Sequence, residues 1–173
     1  MATIEVRARA GEPTATLIWR GKTFRCALGS AGIKQDKHEG DRATPAGTFP
    51  LRRALYRADR GAKPQTELET REIERHDGWC DSPEDPAYNR PVALPYPARA
   101  EAMWREDGLY DVVVVLGHND DPVVPGAGSA VFLHCVKPDC APTEGCVALA
   151  KADLLEILRD ARPGDAIRIE LDA

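Results

Sequence analysis

Two long apolar runs, the first β-branched and the second broken only by a histidine, constrain this chain more than any other feature. Asp111–Leu116 reads DVVVVL and Ala130–Val136 reads AVFLHCV. A strand alternates its side chains between two faces, so a run without polar interruption belongs to a strand covered on both. The rest of the chain must therefore supply layers for both faces. Thr3–Ala8, Ala15–Trp19 and Thr23–Leu28 read as short strands, with turns at Gly11-Glu12-Pro13 and Arg20-Gly21-Lys22. Thr48–Tyr56 resumes the strand pattern after Gly29–Gly47, a loop-like stretch rich in Gly and charge. Lys151–Ala161 carries Leu154, Leu155, Leu158 and Ala161 at helical spacing, and Pro163-Gly164-Asp165 stops it. Ala166–Leu171 then alternates as a closing strand. Many short strands with one strong helix predict a β-rich α+β fold, with a second short helix over Ala98–Glu106. Glu67–His76, nearly all charged, predicts a solvated face. The proline-rich Gly78–Pro97, with Trp79, Tyr88 and Tyr96, predicts an irregular packed loop.

With 173 residues and no internal repeat, residues 1–173 read as a single domain. A hydrophobic fraction of 43% beside 29% charged residues excludes disorder, and a net charge of -5 argues against a nucleic-acid partner. Nothing approaches the roughly 20 apolar residues of a membrane span. Met1–Arg9 (MATIEVRAR) lacks the basic start and apolar run of a secretory signal. The cysteines number five, without a regular framework, so at least one is unpaired. Together these predict a cytoplasmic location, or a periplasmic one if a leader has been trimmed away.

The chemistry concentrates between His134 and Cys146 (HCVKPDCAPTEGC). A thiol nucleophile needs a base that takes its proton, a group that orients the base, and donors for the oxyanion. His134 sits on a buried-type strand, and Cys146 follows Gly145, which allows close backbone approach. Pro138 and Pro142 stiffen the loop between them. Spacing alone leaves other readings open: an inert buried Cys, a hydrogen-bonded core His, or a zinc site of His134, Cys135, Cys140 and Cys146. Against zinc, neighbouring strand residues face opposite ways, and Cys140 and Cys146 lack the tight spacing of structural zinc motifs.

A strand His, a loop, then Thr143-Glu144-Gly145-Cys146-Val147 resembles the signature of the L,D-transpeptidase catalytic (YkuD-type) domain, whose usual form is His, a loop, and Ser/Thr-His-Gly-Cys. Two upstream segments extend the likeness. Thr44-Pro45-Ala46-Gly47-Thr48-Phe49 is similar to the family's Thr-Pro-x-Gly-x-Phe, and Gly117-His118-Asn119 follows the strand where expected. The resemblance implies a β-sandwich-like fold with the thiol at its mouth, and no metal or cofactor. It implies attack by Cys146 on the L–D bond of peptidoglycan tetrapeptide stems, with release of D-alanine. His134 would be the base, oriented by a backbone carbonyl, and the Gly145 and Cys146 amides the oxyanion donors. The thioacyl group would pass to an amine, making a crosslink, or to water, as in an L,D-carboxypeptidase trimming soluble muropeptides. A murein-binding module with a silent thiol is the non-enzymatic alternative. The chain departs from the family at Glu144, where His is usual, and at Ala148, where Arg is frequent. Further contacts to the stem peptide are expected from Thr143, Glu144, His118, Tyr88, Asn89 and Arg90, with Lys37 and Arg42 as minor candidates. Cys146 is expected to be the most reactive thiol.

Overall fold

Strand alternation organises the molecule, because the apolar runs lie between two separate cores. The computed structural model describes residues 1–173. In chain order it contains β1 (Thr3–Ala8), β2 (Thr14–Trp19), β3 (Lys22–Ala27), β4 (Ile33–Lys34), β5 (Thr44–Pro45), β6 (Gly47–Tyr56) and β7 (Thr70–Glu72). There follow β8 (Asp77–Cys80), β9 (Pro91–Ala93), β10 (Ala100–Ala102), β11 (Val112–Leu116), β12 (Phe132–Cys135), β13 (Val147–Leu149), α1 (Lys151–Asp160) and β14 (Ala166–Leu171). The main sheet runs β11-β12-β13-β3-β2-β1-β14-β6-β7, and β6 also pairs with β11. The ring therefore closes. β6 achieves this with its ten residues: Gly47–Pro50 pairs with β14, and Leu51–Tyr56 pairs with β11. The expected sandwich is thus corrected to a barrel-like closed sheet, in which one long strand joins the two would-be edges.

Val112, Val114 and Leu116 point into the barrel, with Leu133, Cys135, Val147 and Leu149 from the next two strands. Leu154, Ile157 and Leu158 of α1 join the same core, and α1 packs on β11 and β12. Val113, Val115 and Phe132 point the other way, into a smaller core with Leu55, Trp79, Met103 and Tyr110. Covering this second core is a three-stranded sheet, β10-β8-β9. At about 1.5–3 kcal/mol for each fully buried large apolar side chain, both faces of β11 are strongly held.

Here the structure corrects the second helix. Ala98–Glu106 contains β10, with Ala100 opposite Cys80 and Ala102 opposite Gly78. A helix so short is marginal by itself. Pairing with β8 satisfies the backbone and drops Met103 into the second core. The supposed irregular loop likewise begins and includes strands, β8 and β9, with irregular chain between them. Glu67–His76 is largely exposed as expected, apart from Leu68 and Ile73, which anchor it. After α1, buried Asp165 accepts hydrogen bonds from the amides of Ala2 (2.7 Å) and Arg162 (2.9 Å), tying the chain start to the last turn. No helix is long and apolar enough to cross a membrane.

Candidate active site

The strand period sets the two central residues on one face. β12 and β13 run parallel, with Leu133 opposite Val147 and His134 opposite Ala148. Leu133 and Val147 face the barrel interior, so His134, Ala148 and the preceding Cys146 fall on the outer face. His134 and Cys146 both line a cavity of about 720 Å³.

The turn carrying Cys146 is shaped by its neighbours. Thr143 Oγ1 donates to Cys146 O (2.7 Å) and accepts from the Gly145 amide (3.1 Å). Thr143 itself is clamped by Ser30 N to its carbonyl (3.1 Å) and by its own amide to Leu28 O (2.8 Å). Gly145 has φ +147°, and a Cβ there would stand 2.9 Å from Ala43 O. Only glycine fits. Buried Thr44 accepts from Gly29 N (2.9 Å), so the Thr-Pro segment forms the wall against which the Cys146 turn rests. With the Gly145 amide engaged by Thr143, the Cys146 amide is the one left without a partner in the fold.

Both central groups rest neutral. Cys146, 9% exposed, donates its thiol hydrogen to Ala130 O (3.1 Å), while Phe132 N lies 3.4 Å from Sγ. Burial, reinforced by the Glu101 charge, pushes the thiol up to about 12. His134, 5% exposed, has Nδ1 2.8 Å from Cys135 O. A carbonyl can only accept, so Nδ1 carries the hydrogen and Nε2 presents a lone pair. Burial lowers this imidazole to about 4. The ring meets Tyr110 edge-on at 5.3 Å; Tyr110 donates its hydroxyl to Glu101, and Arg105 lies over the Tyr110 ring at 5.2 Å. The Glu101 carboxyl is raised, by burial first.

Of the other expected contacts, Thr143 and Glu144 line the cavity, with Glu144 exposed. His118, Tyr88, Asn89 and Arg90 do not line it. His118 packs edge-on against Phe49 at 5.2 Å, its Nδ1 buried without a partner. Asn89 is a buried knot. Its Oδ1 accepts from Trp79 Nε1 (2.9 Å) and Ala130 N (3.0 Å), and its Nδ2 donates to His118 O and Asn119 O. Tyr88 donates to Glu39 (2.7 Å) and accepts from Gly128 N (3.0 Å). Tyr88 and Asn89 therefore hold the strap whose carbonyl receives the thiol, rather than lining the cavity. Arg90 donates to Asp120 O (3.0 Å) at a separate cavity of about 420 Å³.

Lys37 and Arg42 do line the main cavity, as do Glu101, Arg105 and Tyr110, which the sequence did not single out. Only the unforeseen pairing of β10 with β8 brings Glu101 there. As to metal ligands, His134 and Cys135 occupy opposite faces of β12, and Cys135 Sγ donates to Val112 O (3.8 Å) inside the barrel. Those two cannot share a tetrahedral ion. Glu74, His76 and Asp77 bring ligand atoms within 4.8 Å of one another, but none of them lines the cavity.

A family model, YkuD, the L,D-transpeptidase catalytic domain, matches residues 11–169. No curated protein matches the chain. Among solved structures it is similar to the helical cell shape determining protein Pgp2 from Campylobacter jejuni, with 14% identity and a TM-score of 0.47 over 98% of this chain and 48% of that one. It is also similar to L,D-transpeptidase 1 of Mycobacterium tuberculosis, with 16% identity and a TM-score of 0.42 over 98% of this chain and 62% of that one. The chain thus spans less than two thirds of the length of either.

Proposed function

The chain belongs to the L,D-transpeptidase catalytic domain family, and from that premise we propose that it is a cysteine acyl-transfer enzyme acting on the L–D peptide bond of peptidoglycan tetrapeptide stems. One observation carries the reading: the β12–β13 register sets a thiol and a tautomer-locked imidazole on one face, at one cavity. Cys146 is the nucleophile and His134 the base. Because both are neutral at rest, the Sγ proton passes to His134 Nε2 as the Sγ–C bond forms, rather than beforehand. The carbonyl oxygen takes up the displaced electron pair. When the C–N bond breaks, the leaving amine takes the proton from Nε2 and a thioacyl enzyme remains. Of the two amides expected to receive the oxyanion, that of Cys146 is free to do so, while that of Gly145 already serves Thr143. The cavity mixes Lys37, Arg42, Arg105 and Lys137 with Glu39, Asp81, Glu101 and Glu144, which suits a stem bearing both ammonium and carboxylate groups.

Incubation with purified tetrapeptide stems, followed by mass spectrometry, tests this. Loss of D-alanine with a joined dimer identifies an amine acceptor. Loss with a trimmed tripeptide identifies water, the outcome that belongs with a cytoplasmic setting and soluble muropeptides. Stems recovered unchanged would leave only the binding-module alternative.

A further inference from the structure

Lys37 is the one cavity-lining lysine held almost out of solvent: its side chain is 8% exposed. Its stem passes Gly128, where a Cβ would meet Lys37 Cε at 3.2 Å, and its ammonium ends 3.7 Å from where a Gly145 Cβ would stand. Two bare glycines thus make its channel. One N–H is donated to Asp41, which is itself fixed by the amides of His38 (2.8 Å) and Ala43 (2.9 Å). A second goes to His38 O at 3.0 Å. The third N–H has no acceptor in the fold. A rigid cation with a spare donor therefore sits beside the turn that presents the nucleophile.

We propose that Lys37 is a catalytic cation of this site, its ammonium offsetting the negative charge that develops on Cys146 Sγ and then on the substrate carbonyl oxygen. This rests on the acyl-transfer reading. The need for it is physical. The groups facing the thiol are Glu101 from β10, Glu144 on its own turn, Tyr110 and neutral His134, so the two carboxylates oppose thiolate formation. Lys37 opposes them, and its charge favours the ionised thiol. It also stands where one oxyanion amide, that of Gly145, is already engaged. The Sγ proton goes to His134 Nε2 and from there to the leaving amine.

The test measures iodoacetamide alkylation of Cys146 against pH by peptide mapping, with Cys140 as the control in the same chain, together with tetrapeptide turnover. Lys37→Met is expected to slow Cys146 alkylation about tenfold at neutral pH and to move its profile to higher pH. kcat should fall about 10²-fold with KM little changed, the size of losing one oxyanion donor. Asp41→Asn removes the counter-charge and keeps the ammonium, so Cys146 alkylation should quicken. A merely structural lysine predicts a change in the same direction in both variants, because both loosen the same loop around a buried thiol. A folded Lys37→Met with the wild-type Cys146 profile and kcat overturns the proposal. If Lys37→Met does not fold, Asp41→Asn decides: a Cys146 alkylation profile moved to lower pH, with the same limiting rate at high pH, supports the proposal, and an unmoved profile or a rise at every pH alike overturns it. Wild-type protein that alkylates normally but leaves tetrapeptide intact would instead remove the functional reading, with the effect of Lys37 on the thiol still measurable.

Discussion

His134 and His118 are both lowered to about 4, chiefly by burial, against an ordinary value of 6.5. Below pH 6.5 the unfolded chain takes up protons that the native imidazoles refuse, so stability present at pH 7 is lost as pH falls toward 4. Thermal melts at pH 7 and pH 5 should show a falling Tm, and the His118→Gln/His134→Gln double variant should flatten that fall. An equal fall in both proteins would mean that other groups carry it. If His134 is the base proposed above, turnover should persist well below pH 6.5, because the imidazole stays neutral there. Cys146→Ala and His134→Ala should each remove at least about 10³-fold of turnover, the pair scarcely more than either alone, because they act as a unit. Circular dichroism must accompany the kinetics, since His134 is buried. A well-folded His134→Ala with near wild-type turnover would reduce it to a core histidine. The thiols need a revised ranking. Cys146 is buried, hydrogen-bonded and raised in pKa, whereas Cys140 is partly exposed. Limited labelling of the resting protein should therefore mark Cys140 first, against the expectation from the motif.

Short connecting elements, more than the barrel strands, set the geometry of the site. Thr143 shapes the Cys146 turn through one hydroxyl that both donates and accepts. Thr143→Val should cost about 1–2 kcal/mol in urea unfolding and at least about tenfold in turnover, while Thr143→Ser, which keeps the oxygen, restores most of both. Equal activity in the Val variant would show that the turn is held without it. Asn89 acts on the 128–130 strap in the same way. Asn89→Ala leaves Trp79 Nε1 and Ala130 N unpaired in burial, at about 1–3 kcal/mol for each orphaned group. Because Ala130 O receives the thiol, turnover should fall along with stability.

At the scale of the whole molecule, a closed ring of strands carries a small second sheet on one face. Amide hydrogen exchange should be slowest in β1, β11, β12 and β13, which are paired on both sides, and faster in β8, β9 and β10, whose sheet has two edges. Uniform exchange across both sheets would show that they open as one unit. What was legible in the sequence follows from short-range chemistry. The run DVVVVL required a strand covered on both faces, helical spacing placed α1, and Cys146, His134 and the Thr-Pro segment were marked by residue type and order. Long-range pairing was not legible, because its partners are distant in sequence and mark no local pattern. Closure of the ring depends on β6 reaching both β14 and β11. The strand at Ala100–Ala102 exists because β8 is there to pair with it, and with it Glu101 comes to the cavity, where it accepts from Tyr110. The neutral resting states of Cys146 and His134 are likewise tertiary facts. The sequence by itself determined that a thiol and an imidazole stand in the 134–146 segment; only burial between the two sheets decided how far each is moved from its ordinary value, the thiol up and the imidazole down, since desolvation is a property of the assembled surroundings and not of the residue.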